Sequence, residues 1–135
     1  MEHNGIALEQ TMVETLEAVE GLKERVCPVE DIQKSTGPLV IYDQREESDT
    51  KTLSGSTGLM TAAYQVHVLH STYLKMRQLS EQIKAALNVL QGFRESPLLI
   101  ETVNIELGSP DIREHKVQLF RRTYNVTFQY QIEEE

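Results

Sequence analysis

Two histidines, His67 and His70, stand three residues apart. On a helix that spacing would bring both imidazoles to one side and could begin a metal site, whereas on a strand it sends them to opposite faces. The surrounding residues decide between the two. Tyr64, Val66, Val68 and His70 alternate with Ala63, Gln65, His67 and Leu69, a period of two that predicts a strand. The pair therefore loses its metal geometry, and four ligands of suitable type are not in view. Cys27, the sole cysteine, precedes Pro28 in a connecting segment. As a nucleophile it would need an adjacent His, while as a small apolar residue it needs nothing further. Gly55-Ser56-Thr57-Gly58 has no Lys after it and is not a phosphate loop. Glu46 and Glu47 are paired carboxylates in a polar stretch, where nothing would desolvate one and raise its pKa. Asn125-Val126-Thr127 matches a glycosylation sequon, which matters only in a secreted chain. No catalytic residue, metal or cofactor is expected, and the chain reads as a non-enzyme.

The elements that would position these residues follow from periodicity. Leu8, Met12, Leu16 and Val19 recur at helical steps, predicting an amphipathic helix over about 5–21 that Gly21 can stop. Leu39-Val40-Ile41-Tyr42 reads as a short strand buried on both faces. Residues 43–58 are polar and are expected to form a long loop, well above the usual length of a hairpin connection. A strand from Leu59 leads into a helix with Ser71 or Thr72 as N-cap, Met76, Leu79, Ile83, Ala86, Leu87 and Leu90 as its apolar stripe, and Gly92 as its close. Val103, Ile105 and Leu107 mark a third strand, and Gly108-Ser109-Pro110-Asp111 a turn. The last strand carries Phe120, Tyr124, Val126, Phe128, Tyr130 and Ile132 on one face, interrupted by Arg122. The expectation is a single α+β domain over 1–135: a two-layer fold with an antiparallel sheet of about four strands, two helices on one face, and the order α-β-β-α-β-β.

With 135 residues the chain has room for one ordinary domain. An N-terminus without a basic and apolar signal, a single cysteine and the lack of a long apolar run predict an intracellular chain with no membrane segment. Its 21 acids outnumber 13 Lys and Arg for a net −8, which argues against nonspecific nucleic-acid binding. The charge is uneven: residues 1–31 hold eight acids and two bases, and Glu133, Glu134 and Glu135 form an acidic tail. Lys75, Arg77, Lys84 and Arg94 form one basic stretch, and Arg113, Lys116, Arg121 and Arg122 another. Acidic and basic surfaces on one small body suit head-to-tail contact between copies.

The order of short elements then points to a family. Arg25-Val26-Cys27-Pro28-Val29, followed by Gly37-Pro38-Leu39-Val40-Ile41-Tyr42, then Leu53-Ser54-Gly55-Ser56-Thr57-Gly58, then the strand-to-helix run Tyr64 to Tyr73, and finally Arg122 to Tyr130, spans nearly the whole chain. This succession resembles the small tail-completion proteins of long-tailed bacteriophages, also called tail terminator or tail-to-head joining proteins. The resemblance implies a structural virion protein, made in the host cytoplasm during assembly. Such a protein forms a ring, typically hexameric, on the head-proximal end of the tail tube. Its implied partners are copies of itself, the tail tube protein and the head completion or connector protein. DNA would pass through the ring without specific binding.

On this reading the contact candidates are Arg45, Glu46, Glu47, Asp49 and Lys51 in the 43–58 segment, and Lys75, Arg77 and Lys84 on the second helix. The last three are expected to meet acids of the first helix on a neighbouring copy. Two other classes stay open: a small adaptor that binds a partner by strand addition at a sheet edge, and an enzyme whose site, with His67 or His115, forms across a subunit interface.

Overall fold

A computed structural model describes residues 4–28, 37–52, 55–114 and 119–132. Helix α1 (Asn4–Glu17) leads through a turn to a three-residue strand β1 (Val26–Pro28). Two long strands, β2 (Leu39–Thr52) and β3 (Gly55–His70), form an antiparallel hairpin. Helix α2 (Tyr73–Asn88) follows, then the two-residue β4 (Arg94–Glu95), and a second long hairpin of β5 (Leu98–Glu114) and β6 (Leu119–Ile132). The sheet order is β1-β2-β3-β6-β5-β4, with β1 parallel to β2 and the other pairs antiparallel.

The expected sheet of about four antiparallel strands is therefore corrected. The sheet has six strands, is mixed, and curls into a half-barrel. Two of the added strands are too short to leave a periodic signature, and β1 ends at a proline, which favours an edge position. Length is the larger correction. The segment 43–58, expected as a loop, lies almost wholly in β2 and β3. Residues 44–48 are exposed, and β6 ends near Leu59, so the last described residues of the hairpin pair with each other alone in the sheet. At about 3.3 Å per residue, the four residues of β3 before Leu59 carry this arm about 13 Å past the last β6 pairing. The turn expected at 108–111 is likewise absorbed into β5 as two register shifts, between Leu107 and Ser109 and between Ser109 and Ile112. Bulges accommodate a proline and a glycine inside a strand. A Cβ on Gly108 would sit 2.9 Å from Asn125 Oδ1, so any larger residue there must displace that side chain.

The core lies between the helices and one face of the sheet. Leu8, Met12 and Leu16 of α1 and Leu79, Ile83 and Leu87 of α2 pack with Val40, Tyr64, Val66, Val126, Phe128 and Tyr130. Tyr64 sits edge-on to Tyr42 and to Phe128, with ring centroids 6.2 and 6.1 Å apart, the favoured aromatic geometry. Leu39, Ile41, Leu69 and Leu119 form a smaller cluster on the opposite face, against which Cys27 packs. Leu39 to Tyr42 are thus buried on both faces. Helix α2 begins at Thr72, whose hydroxyl accepts from the Lys75 N–H at 3.2 Å, and Gly92 follows it at φ +85°.

Candidate functional site

The hairpin β2–β3 and the hairpin β5–β6 point to opposite ends of the sheet. Thr52 pairs with Gly55 at one end, and Glu114 with Leu119 at the other. Each end carries its own set of polar contacts, and neither resembles a catalytic centre. Toward the first end, Tyr130 Oη donates to Glu47 Oε2 at 2.9 Å; further down the sheet, in the row of Val66 and Tyr124, Tyr42 Oη donates to Glu9 Oε2 at 2.6 Å. Burial pushes all three phenols of Tyr42, Tyr64 and Tyr130 well above their usual range; the adjoining carboxylates add to the effect. Held neutral as donors, Tyr42 and Tyr130 fasten an exposed acid to the core.

These contacts give the residues of β2 different positions. Glu47 pairs with Ala62, so it shares the helix-covered face with Tyr130, while Glu46 pairs with Ala63 on the other face. Arg45 falls in the register shift between Gln44 and Glu46 and forms an exposed ion pair with Asp43. The backbones of Asp49 and Lys51 pair with Met60 and Ser56, and their side chains lie outside the described residues. Leu53, Ser54, His115, Lys116 and the tail 133–135 lie outside the described residues altogether.

At the second end, Arg122 meets Asp111 through two hydrogen bonds, Nε to Oδ1 at 2.9 Å and Nη2 to Oδ2 at 2.8 Å. Only 12% and 17% of the two side chains are exposed. Asp111 also accepts from Tyr73 Oη at 3.2 Å, and Glu81 lies 3.9 Å from Arg122. The Arg122 hydrogen bonds hold the Asp111 carboxyl below the usual carboxylate range against an opposing burial effect, and Asp111 raises Arg122 in turn. This network ties the start of α2 to β5 and β6. Arg77 donates to Tyr73 Oη at 3.4 Å, so it joins the network from α2. Lys84 is half-buried two turns further on, and Lys75 is exposed. Lys75 shares a cleft of about 140 Å³ with Glu20 of its own chain, together with His70 and Gln82. The structure thus brings Arg77 into a charged network, sets Lys75 beside its own α1-side acid, and leaves Arg45, Glu46 and Glu47 spread along one arm.

The residues that could do chemistry are dispersed. His67 and His70 sit on successive sides of β3, as the alternation requires. His67 Nδ1 lies 2.8 Å from Thr123 Oγ1, and burial followed by Arg121 lowers its pKa. Burial, then Lys75, lowers that of His70. Among the described residues no group of three His, Cys, Asp or Glu is placed to hold a metal ion, and no helix is long and apolar enough to cross a membrane. An open groove of about 550 Å³ runs beside α1, lined by Ile6, Glu9, Gln10, Val13, Glu14 and Tyr42. The groove is open to solvent rather than enclosed.

Sequence reasoning missed the Asp111–Arg122 pair although half its signal was visible. A lone arginine on the apolar face of a strand needs an acid within reach, but Gly108-Ser109-Pro110-Asp111 reads as a turn, which hides Asp111 as the partner. The acids Glu9 and Glu47 left no such signal, since the tyrosines they meet read as ordinary core residues.

No family model and no curated protein sequence matches the chain. Nineteen chains of solved structures do match in fold. One of them belongs to the virion of a native gene transfer agent (GTA) particle; it is 15% identical with a TM-score of 0.67, over 99% of this chain and 100% of that chain. The six-stranded half-barrel with its two helices is thus similar, end to end, to the fold of a virion particle chain.

Proposed function

We propose that this protein is a structural virion subunit that forms a ring on the head-proximal end of a tail tube and joins the tail to the head connector. The observation that carries the reading is the end-to-end likeness in fold to a chain of a gene transfer agent virion. The succession of sequence elements that resembles tail-completion proteins supports the finer assignment. The ring would stop tube growth because its outer surface differs from the tube's own, and the two oppositely directed hairpins would give it one contact for the tube and one for the connector. An excess of acids suits a bore through which DNA slides without being held. The function is structural, and no catalytic step is assigned to it.

Strand addition by an adaptor is disfavoured by the sheet's edges. Beyond Tyr42 the outer edge of β2 carries Asp43, Arg45, Glu46 and Glu47 with a register shift, and that of β5 carries Glu101, Glu106 and Pro110 with three more. Charges, proline and bulges are the devices that discourage edge pairing.

Deleting the gene from a particle-producing host tests the reading. Expected are filled heads and free tails of irregular length, joined again when the protein is supplied in trans. Complete particles of normal length made without it would refute the proposal.

A further inference from the structure

We infer that the two flanks of the sheet are the halves of one head-to-tail contact, in which the groove beside α1 of one copy receives the β5 flank of the next, centred on Leu107. This rests on the ring reading above and names the surface that would build it.

The groove lies on the β2 flank. Ile6, 51% exposed, Val13 and Tyr42 give it apolar walls, and Glu9 and Glu14 line it as acids. On the opposite flank Leu107 is 56% exposed. Its backbone pairs with Tyr124, whose hydroxyl reaches Ser80 of α2, so Leu107 lies on the helix-covered face but beyond the cover that α2 provides. On its helix-covered side this flank also carries cations. Arg77 joins the Tyr73 and Asp111 network, Lys84 follows it on the same side of α2 at helical spacing, and Arg113 stacks over Phe120 with 5.8 Å from its guanidinium carbon to the ring centroid. Of the acids on this flank, Glu81 and Asp111 face Arg122, Glu114 pairs with Arg121, Glu106 lies on the opposite face of the sheet beside Asn125, and Glu101 falls in the register shift after Ile100. An apolar groove lined with acids and an exposed leucine accompanied by cations are complementary in both hydrophobicity and charge.

Position excludes their meeting within one copy. Tyr42, Val66, Tyr124 and Leu107 form a single row across the sheet, so groove and leucine sit at the same height on opposite flanks. A contact between such flanks is heterologous. Its repetition steps sideways with little rise, and the curl of the half-barrel supplies rotation at each step, which are the conditions for closing a ring rather than climbing into a filament.

Two variants test the contact at exposed positions: Ile6→Lys with Glu14→Lys on the groove, and Leu107→Glu with Arg113→Glu on the other flank. Masses are measured by light scattering at low salt, with circular dichroism to show that each variant is folded. Each variant alone is expected to lose the oligomer and run as a monomer, because like charges now face one another. Mixed in equal amounts they are expected to associate into at least heterodimers, since each retains the half that the other has lost. Variants that assemble like the wild type, or a mixture that stays monomeric, would overturn the contact while leaving the ring reading intact. A wild-type chain that remains monomeric both at high concentration and on purified tubes would overturn both.

Discussion

Replacing Asp111 with alanine should be among the costliest single changes outside the apolar core. It strips Arg122 of two short hydrogen bonds and leaves a guanidinium, on a side chain 12% exposed, that keeps Glu81 at 3.9 Å and the Tyr124 hydroxyl beside it. Breaking a fully buried pair from one side costs about 3–5 kcal/mol. Because water still reaches an edge of both groups, and Glu81 offers partial compensation, about 2–3 kcal/mol is the reasoned value here. For a chain of this size that is a fall of roughly 10 °C in Tm. The sign of the pH dependence follows from the carboxyl's lowered pKa. Its contribution is complete above the unfolded value of 3.8 and is lost as pH falls through the lower folded value. The gap between wild type and Asp111→Ala should therefore be full at neutral pH and close in acid below that value. Urea unfolding followed by circular dichroism at several pH values measures this directly. Exchanging both partners, Asp111→Leu with Arg122→Met, should recover most of the loss, since two apolar groups leave no stranded charge. A single variant within about 0.5 kcal/mol of wild type, or a double variant no better than the single, would refute this account of the pair. The network also braces the start of α2 against β5, so the same single variant should weaken any contact made by the Leu107 flank.

Three further changes probe the rest of the molecule. Phe128→Ala removes a fully buried ring that packs against Tyr64 and should cost about 3–5 kcal/mol in urea unfolding, with less than 1 kcal/mol counting against the stated core. Tyr130→Phe deletes the donor to Glu47 and should cost about 1–2 kcal/mol and speed hydrogen exchange in the outer half of β2; unchanged exchange there would mean that the contact does not fasten the arm. Gly108→Ala should cost about 1 kcal/mol by driving a methyl into the Asn125 amide, and Asn125→Ala in the same chain should restore stability; a cost that persists would place the strain in the backbone instead.

Much of the fold was legible because burial writes itself into periodicity. Helix α2 announces its stripe of Met76, Leu79, Ile83 and Leu87 and narrows its cap to Ser71 or Thr72, of which the structure uses Thr72, and β6 announces its alternation from Tyr124 to Tyr130, since each has one buried face and one solvated face. The Leu39–Tyr42 run was readable for a related reason: with both faces buried, no polar residue interrupts it. At 44–48, where both faces are exposed, the pattern vanishes. Residues 43–52 hold strand geometry through backbone pairing with β3, and a ladder of N–H and C=O groups leaves no mark on side-chain type. The sheet was undercounted for this reason, together with the brevity of β1 and β4. The polar contacts were less legible still. Tyr42 to Glu9 and Arg122 to Asp111 join positions 33 and 11 residues apart, and no local spacing encodes such a meeting.

The central claim is that this chain sits as a ring between tail and head. Cryo-electron microscopy of purified particles from a host that carries a tagged copy of the gene measures that location most directly. Tag density is expected as a closed ring at the head-proximal end of the tube and nowhere else along it. Particles that are complete yet lack the chain, or that carry it along the whole tube or on the capsid surface, would contradict the claim.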